Sequence, residues 1–281
     1  MMNALRAESY KLRRRGMLLG TFGIIVGMSL LIATILFATA KPQAQIVADA
    51  IASAGQAGGR NGPGISFETL EKADGFATAF QFAAQIIGVV CLVVFAQSFG
   101  SEYGQGTLKV LFSQEPRRLR VLAGKVLALA ALVIGAVLVA FVLQTALVIL
   151  IAKAKGIDTS AWWTAHAALD GTMLVLRVAA AAMAWGAMGT FLAVLLRAAP
   201  PAIGIGIGYT LLVEGILAFA LKGATKWLPG QALQSFVGWG SSANAQTSLL
   251  PAGWACVAVA AYTAAFLIAS GILFARRDVT S

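Results

Sequence analysis

The chain has 281 residues, of which 59% are hydrophobic and only 11% charged, and its formal net charge at pH 7 is +10. Soluble domains carry about 25% charged residues, whereas the mean hydropathy of this chain is +0.83. These values exclude an ordinary soluble globular protein. The sequence predicts an all-α integral membrane protein.

The amino-terminal residues 1–16 have the pattern of a short interfacial helix. Leu5 and Leu12 lie two turns apart on one face, and basic residues occupy the other faces, as in helices that lie in the plane of a membrane surface. A simple positive anchor for the following span explains the same charges equally well. We predict an N-terminal interfacial helix here and keep the anchor as the alternative.

Six apolar segments are long enough to cross roughly 30 Å of hydrocarbon as helices. The first could be read as a secretory signal because Ala38-Thr39-Ala40 has the form of a cleavage site, but its apolar stretch exceeds the about 7–15 residues of such signals. We therefore predict one transmembrane domain, residues 1–281, with six transmembrane helices. The spans are 17–39, 75–99, 120–152, 169–196, 201–221 and 253–275.

The longest connections between these spans are two outer loops and one inner segment, residues 100–118. Residues 40–74 contain two helical patterns separated by the turn-forming stretch 55–64. Residues 222–252 carry Trp227 and Trp239, which suit a membrane interface, and we expect part of this loop to re-enter the bilayer.

The distribution of Lys and Arg predicts the orientation of the spans. With the amino terminus inside, thirteen basic residues lie in inner segments and seven in outer ones, where five acidic residues nearly cancel them. Both termini are therefore predicted to be cytoplasmic, in a protein of the cytoplasmic (cell) membrane. The basic charge is explained by topology, so we expect membrane lipid around the chain and no nucleic-acid partner.

The inner segment 100–118 has the pattern of a short amphipathic helix. Gly104 and Gly106 end the preceding helix, and Thr107 can cap a new one. Its apolar face is formed by Leu108, Leu111 and Phe112. Such a face fits a groove in a partner protein, although an interfacial helix lying among lipid headgroups satisfies the same pattern.

Residues that catalysis or nucleotide binding would need are missing from the sequence. His166 is the only histidine, and Cys91 and Cys256 lie within apolar runs, where cysteines pack as small hydrophobic residues. Gly124-Lys125 lacks the rest of a phosphate-binding loop. We expect no metal site, no cofactor bound by this chain and no enzymatic activity of its own.

Polar side chains at similar depth form a predicted layer in the outer half of the membrane, about 9–15 Å below the outer ends of the spans. A charge at a helix centre costs about 2.5–3.5 kcal/mol, so these groups need partners. We predict that Arg177 and Glu214 pair, with Asp170 as an alternative partner for Arg177, which could also extend to the surface. The layer is either a substrate path or outer gate, or a polar cluster that only fixes the packing. Its members are Gln81, Gln85, Gln144, Arg177 and Glu214.

Small residues suggest where helices approach closely. Gly204 and Gly208 have the G-x-x-x-G spacing on the fifth span, which is typical of helix dimers in membranes. Similar spacing relates Ala182, Gly186 and Thr190 on the fourth. We predict dimer packing at Gly204 and Gly208.

The stretch "SEYGQGTLKVLFSQEPRR", followed by Gly124-Lys125, resembles the segment between the second and third spans of ABC-2-type transporter permeases. The matching positions are Glu102, Tyr103, Gly106, Thr107, Leu111, Pro116 and Lys125. The start "LRAESYKLRRR" and the ending "LFARRDV" resemble the termini of the same family. The spacing from Pro116 to Lys125 is one residue shorter than the family pattern.

The resemblance implies the membrane-spanning subunit of an ATP-driven exporter. It implies a dimer with a second copy or a sister permease, and a cytoplasmic ATP-binding cassette subunit, which binds ATP and Mg, docked near 103–113. The implied coupling residues are Glu102, Tyr103, Gly106, Thr107, Leu108, Leu111 and Phe112.

Other functions fit parts of the same sequence. An ATP-independent transporter or channel would use the Arg177 and Glu214 layer and would be active without a partner. An intramembrane enzyme acting on lipid and a non-transporting assembly partner are further alternatives. The cargo is not encoded in a recognisable motif, and a drug, an antimicrobial peptide and a lipid-like molecule all remain open.

Overall fold

A computed structural model describes residues 15–53, 66–105, 118–214, 216–217, 225–238 and 250–276. No β-strand occurs in these ranges. The α-helices are α1 Arg15–Thr39, α2 Gln43–Ser53, α3 Phe67–Leu70, α4 Gly75–Gly104, α5 Arg118–Lys155, α6 Ala165–Leu196, α7 Ala199–Gly208, α8 Pro229–Val237 and α9 Ala252–Arg276. Short 3-10 turns occur at Ser160–Trp163 and Thr225–Trp227, and a π turn, Tyr209–Val213, follows α7. The predicted interfacial helix, residues 1–14 in particular, lies outside the described residues.

Five of the described helices are long and apolar enough to cross a membrane. They are Leu18–Thr39 within α1, and the whole of α4, α5, α6 and α9. The prediction of an all-helical, multi-pass membrane protein is therefore confirmed. The third span is longer than a bilayer requires, as its sequence indicated, because α5 runs for 38 residues.

The fifth predicted span, 201–221, is described only in part, because residue 215 and residues 218–221 lie outside the described ranges. Its apolar helix is Ala199–Val213, which is shorter than the roughly 20 residues a perpendicular crossing needs. The regular helix changes to a π turn at Tyr209, and Glu214 follows it. Six spans are therefore not confirmed, since five helices of the described residues have the required length.

The centre of the bundle is the interface between α4 and α6, the most extensive helix pair among the described residues. Glycines allow the two helices to approach each other closely. A Cβ atom at Gly88 would lie 2.2 Å from the Trp185 side chain, and one at Gly189 would lie 2.4 Å from the carbonyl oxygen of Leu92. Gly186, on the predicted small-residue stripe of α6, is buried beside Phe95. These glycines bring the two backbones together, as small residues do in membrane helix pairs.

Helix α7 runs alongside α4 in the opposite direction. A Cβ atom at Gly100 would meet Ala199, and one at Gly206 would meet the side chain of Leu92. Since seven or eight residues separate the contacts on each helix, Glu214 lies near the level of Ala84. That level is about ten residues, or roughly 15 Å, from the start of α4.

Candidate functional site

The end of the bundle predicted to be cytoplasmic contains a buried ion pair. Lys125 Nζ lies 2.7 Å from Glu102 Oε2, and the two side chains are 3% and 11% exposed, respectively. The same ammonium donates a hydrogen bond to the Ser98 carbonyl at 2.7 Å and lies 4.8 Å from the centroid of the Phe99 ring. The lysine is thus held by a carboxylate, a carbonyl and an aromatic face.

This ion pair joins the two helices that flank the predicted coupling segment. Glu102 lies in the last turn of α4, and Lys125 lies two turns into α5. Tyr103, beside Glu102, is partly buried against the hydrophobic core. Gly106, Thr107, Leu108, Leu111 and Phe112 lie outside the described residues, so the predicted docking helix itself stays a prediction.

Gln144 connects three helices in the opposite half of the bundle. It is 1% exposed, on α5. In the amide orientation that satisfies both groups, its nitrogen donates to the Ser29 carbonyl of α1 at 3.3 Å, and its oxygen accepts from the Phe80 amide of α4 at 2.6 Å. The side chain therefore acts as a packing contact within the core.

Glu214 lies at the amino end of α8. Its Oε1 accepts a hydrogen bond from the Gly230 amide at 2.7 Å, and Tyr209 donates a side-chain hydrogen bond to the same carboxylate. Glu214 is only 5% exposed. Because the free amides of a helix start carry partial positive charge, the carboxylate stabilises α8 there. Gly230 is the backbone donor to this carboxylate, and the predicted pairing of Glu214 with Arg177 stays a prediction.

Helix α8 lies between the halves of the spans that are predicted to be outer. It contacts α4, α6 and α9, and just before it Trp227 accepts a hydrogen bond from the Tyr262 hydroxyl at 2.6 Å. Tyr262 lies about ten residues, or roughly 15 Å, along α9. At the other end of α8, Ser235 Oγ accepts from the Leu250 amide, just before α9 begins. This part of the predicted outer loop therefore enters the bundle and returns.

Gln81 and Gln85 lie together on a pocket between α4, α6 and α8. Gln81 Nε2 donates to the Val237 carbonyl at the end of α8, at 3.3 Å. The cavity volume of this pocket is about 60 Å³, so it is a small cleft in this structure. Its lining residues are Gln81, Phe82, Ala84, Gln85, Ala181, Trp185, Leu233, Gln234 and Val237. Three amide side chains thus face a mainly apolar cleft, a composition typical of ligand sites.

The remaining predicted residues of the polar layer lie elsewhere. Arg177 is partly buried on α6. Asp170, its alternative partner, lies 2.8 Å from His166 Nδ1 on the same helix, and both side chains are largely exposed. The structure therefore brings Gln81 and Gln85 together on one pocket and places Gln144 and Glu214 in separate contacts.

Gly204 and Gly208 occupy an open face of α7. A Cβ atom at either position would have nothing within 4 Å, whereas the intervening Gly206 packs on Leu92. Ile205, Leu211 and Leu212 are more than half exposed around them. The predicted dimer contact is therefore accessible, and it stays a prediction.

A comparison with protein families identifies the family of the chain. A family model described as "Protein of unknown function (DUF2705)" matches residues 56–280, which is well over half of the chain. The chain belongs to the DUF2705 family. A search of curated proteins found no match. In this DUF2705 protein the matched range includes helices α3 to α9, with Glu102, Lys125, Glu214 and Gly230 among its residues.

Sequence reasoning missed several residues of the DUF2705 site. Gly230 and Gln234 lie on α8, which the sequence places in a loop, and Tyr209 and Trp185 are apolar or aromatic positions within predicted spans. The Leu228-Pro229-Gly230 sequence is the signal that was available, because Pro is favoured in the first turn of a helix. No local sequence pattern predicts that α8 packs inside the bundle.

Proposed function

We propose that this protein is the permease subunit of an ABC transporter of the ABC-2 type. In this proposal, the membrane helices form the path through which a separate ATP-binding cassette subunit drives the export of a substrate. The chain itself contributes no nucleotide site, and ATP and Mg bind to the partner. The functional unit is a dimer of permeases in the cell membrane.

The buried Glu102–Lys125 pair is the observation that carries the proposal. A docking segment transmits force only if its two flanking spans move with it. Here the flanking helices α4 and α5 are joined by an ion pair whose N···O distance is 2.7 Å, immediately next to residues 106–117. Both residues belong to the motif that resembles ABC-2 permeases, which supports a mechanical role for the pair.

The pocket beside α8 supports the substrate path of the proposal. It lies at the depth of Gln81 and Gln85, in the outer half of the bundle, and α8 forms one of its walls. Because α8 enters from the outer end, a movement of this helix would open or close the pocket on that side. Three amides on an apolar surface suit an amphipathic cargo such as a drug, a peptide or a lipid-like molecule.

The first experiment is purification of the tagged full-length chain from its native membranes in mild detergent, with its partners identified and their stoichiometry measured. We expect an ATP-binding cassette protein to co-purify in a one-to-one ratio. The combined Leu108→Asn, Leu111→Asn and Phe112→Asn variant should lose it. A matched pair of polar changes in α2, Ile46→Asn and Val47→Asn, should retain it.

The ATP-independent transporter or channel predicts the opposite results. The chain would then purify without an ATPase and would move solute in liposomes by itself, with activity that depends on Arg177 and Glu214. Recovery of the chain alone from native membranes would overturn the proposed function.

A further inference from the structure

A second pocket lies at the predicted outer end of the bundle, away from Gln81 and Gln85. Its cavity volume is about 410 Å³, within the range of roughly 300–1,000 Å³ that small-molecule sites occupy. It lies between the carboxyl end of α5, the 3-10 turn and the start of α6. Its lining residues are Phe76, Thr145, Ile149, Trp162, Trp163, Thr164, Ala165 and Ala168. These side chains are apolar except for two threonine hydroxyls and the indole nitrogens.

The pocket opens away from the helix bundle at the level of a membrane interface. Trp163, Thr164, Ala165 and Ala168 are exposed, and Trp163 is 70% exposed. Tryptophan is enriched where headgroups meet hydrocarbon. From there the pocket extends down α5 to Thr145, about ten residues or roughly 15 Å from the end of that helix. A molecule in it would touch both the interface and the acyl region.

The walls of the pocket are fixed by contacts within the chain. Trp162 Nε1 donates to the Leu70 carbonyl at 2.9 Å, and the Trp162 ring lies 6.1 Å from that of Phe76. Ser160 donates its amide and its hydroxyl to the carboxylate of Asp158, at 2.9 and 3.0 Å. These bonds from Ser160 hold the pKa of Asp158 below its ordinary value. The turn that carries both tryptophans is therefore preformed.

A basic residue continues the face of α5 that lines the pocket. Thr145, Ile149 and Lys153 are spaced by four residues on α5, so they share one face of the helix. The first two line the pocket, and Lys153 is exposed one turn beyond them. Two acidic side chains of the neighbouring segments are engaged within the chain, Asp158 with Ser160 and Asp170 with His166. A basic residue at this level attracts anionic lipid headgroups.

We infer that this pocket binds an anionic glycerophospholipid from the surrounding leaflet. One acyl chain lies between α5 and α6 against Phe76, Ile149 and Trp162, and the phosphate lies at Lys153 beside Trp163. The inference does not depend on the proposed export function, because a resident lipid is equally compatible with any multi-pass protein. It assigns a ligand class to a site that is distinct from the pocket at α8.

Quenching of tryptophan fluorescence by brominated lipids tests this site. The full-length chain is reconstituted in vesicles of brominated phosphatidylglycerol or brominated phosphatidylcholine, and the difference between the wild type and Trp163→Phe isolates the Trp163 signal. We expect this signal to be quenched at least threefold more efficiently, at equal mole fraction, by the anionic lipid. Equal quenching by both lipids would overturn the inference.

Two variants with matched controls separate a bound lipid from the general lipid annulus. Ala168→Leu fills the pocket and should abolish the preference, whereas Ala180→Leu, on an exposed part of the same helix, should keep it. Lys153→Gln changes only an exposed side chain, so its folding is not at risk, and it should reduce quenching by the anionic lipid to the level of phosphatidylcholine. Lys72→Gln is its control. An unchanged preference in Lys153→Gln would contradict the assignment.

Discussion

Glu102 and Lys125 form an ion pair across 2.7 Å at the end of α4 and the start of α5, with both side chains almost entirely buried. The predicted docking segment separates the two residues in the sequence, but their side chains are in direct contact in the structure. Each would be costly to bury alone, because desolvating one charge is repaid only when its partner remains. The pair therefore holds the two spans α4 and α5 together.

A double-mutant cycle measures this coupling. Glu102→Met or Lys125→Met alone leaves a buried charge without its partner, and we expect each to reduce stability by about 3–5 kcal/mol. The double Met variant should recover most of that loss because both desolvation costs disappear together. Thermal unfolding in one detergent provides the measurement. Additive losses in the double variant would show that the two charges do not interact.

Adding a Cβ atom at Gly230 should destabilise α8. A Cβ atom there would lie 2.1 Å from Glu214 Oε2, so Gly230→Ala displaces the carboxylate from the helix start. Loss of such a cap costs about 1 kcal/mol, which corresponds to roughly fivefold faster amide exchange in residues 229–237. Hydrogen-exchange mass spectrometry measures the change. Gly253→Ala, where a Cβ atom meets nothing within 4 Å, is the control and should exchange as the wild type does.

The interface between α4 and α6 should not tolerate a methyl group at Gly189. The added Cβ would lie 2.4 Å from a backbone carbonyl oxygen of Leu92, which cannot rotate away, and overpacking of this kind costs about 1–3 kcal/mol. We expect Gly189→Ala to lower the melting temperature. The same change at Gly253 should be neutral or slightly stabilising, because Ala is favoured over Gly within a helix. Equal melting temperatures for the two variants would refute this account of the interface.

The open face of α7 tests the predicted dimer. If Gly204 and Gly208 allow two copies to approach closely, then the combined Gly204→Leu and Gly208→Leu variant should reduce the dimer fraction several-fold without lowering the melting temperature of the monomer. Light scattering on the detergent-solubilised protein measures the oligomeric state. A dimer fraction unchanged from that of a Gly253→Leu control would place the dimer contact elsewhere.

The turn that carries Trp162 and Trp163 should depend on pH. Hydrogen bonds from Ser160 lower the pKa of Asp158 from its ordinary value of 3.8. A carboxyl group with a lowered folded-state pKa contributes fully above about 3.8, and the contribution is lost as the pH falls through the lower value. Asp158→Asn should therefore differ from the wild type in tryptophan emission at pH 6, and the difference should shrink below pH 3.8. A constant difference over this range would exclude Asp158 as its cause.

Residue composition and spacing were sufficient to predict the class of protein and most of its spans. Apolar length alone predicts α1, α4, α5, α6 and α9, because a helix in hydrocarbon must satisfy its backbone internally over about 20 residues. The fifth predicted span is not confirmed: the regular helix changes to a π turn at Tyr209–Val213, and residues 218–221 lie outside the described ranges. Hydropathy along the sequence does not predict this change from an α-helix to a π turn.

The contacts of polar residues were decided only by the tertiary structure. Gln81 and Gln85 lie one turn apart on α4, so their proximity follows from the helix itself, but the sequence could not show that α8 enters the bundle and offers the Gly230 amide to Glu214. Two residues at the same depth in the membrane can still lie on helix faces that do not contact each other. Which faces come into contact depends on how the spans pack side by side. The sequence by itself determined that the chain spans a membrane, because the cost of burying backbone and charge in lipid acts residue by residue. Only the folded bundle decided which buried groups meet, because that choice depends on contacts between residues far apart in the chain.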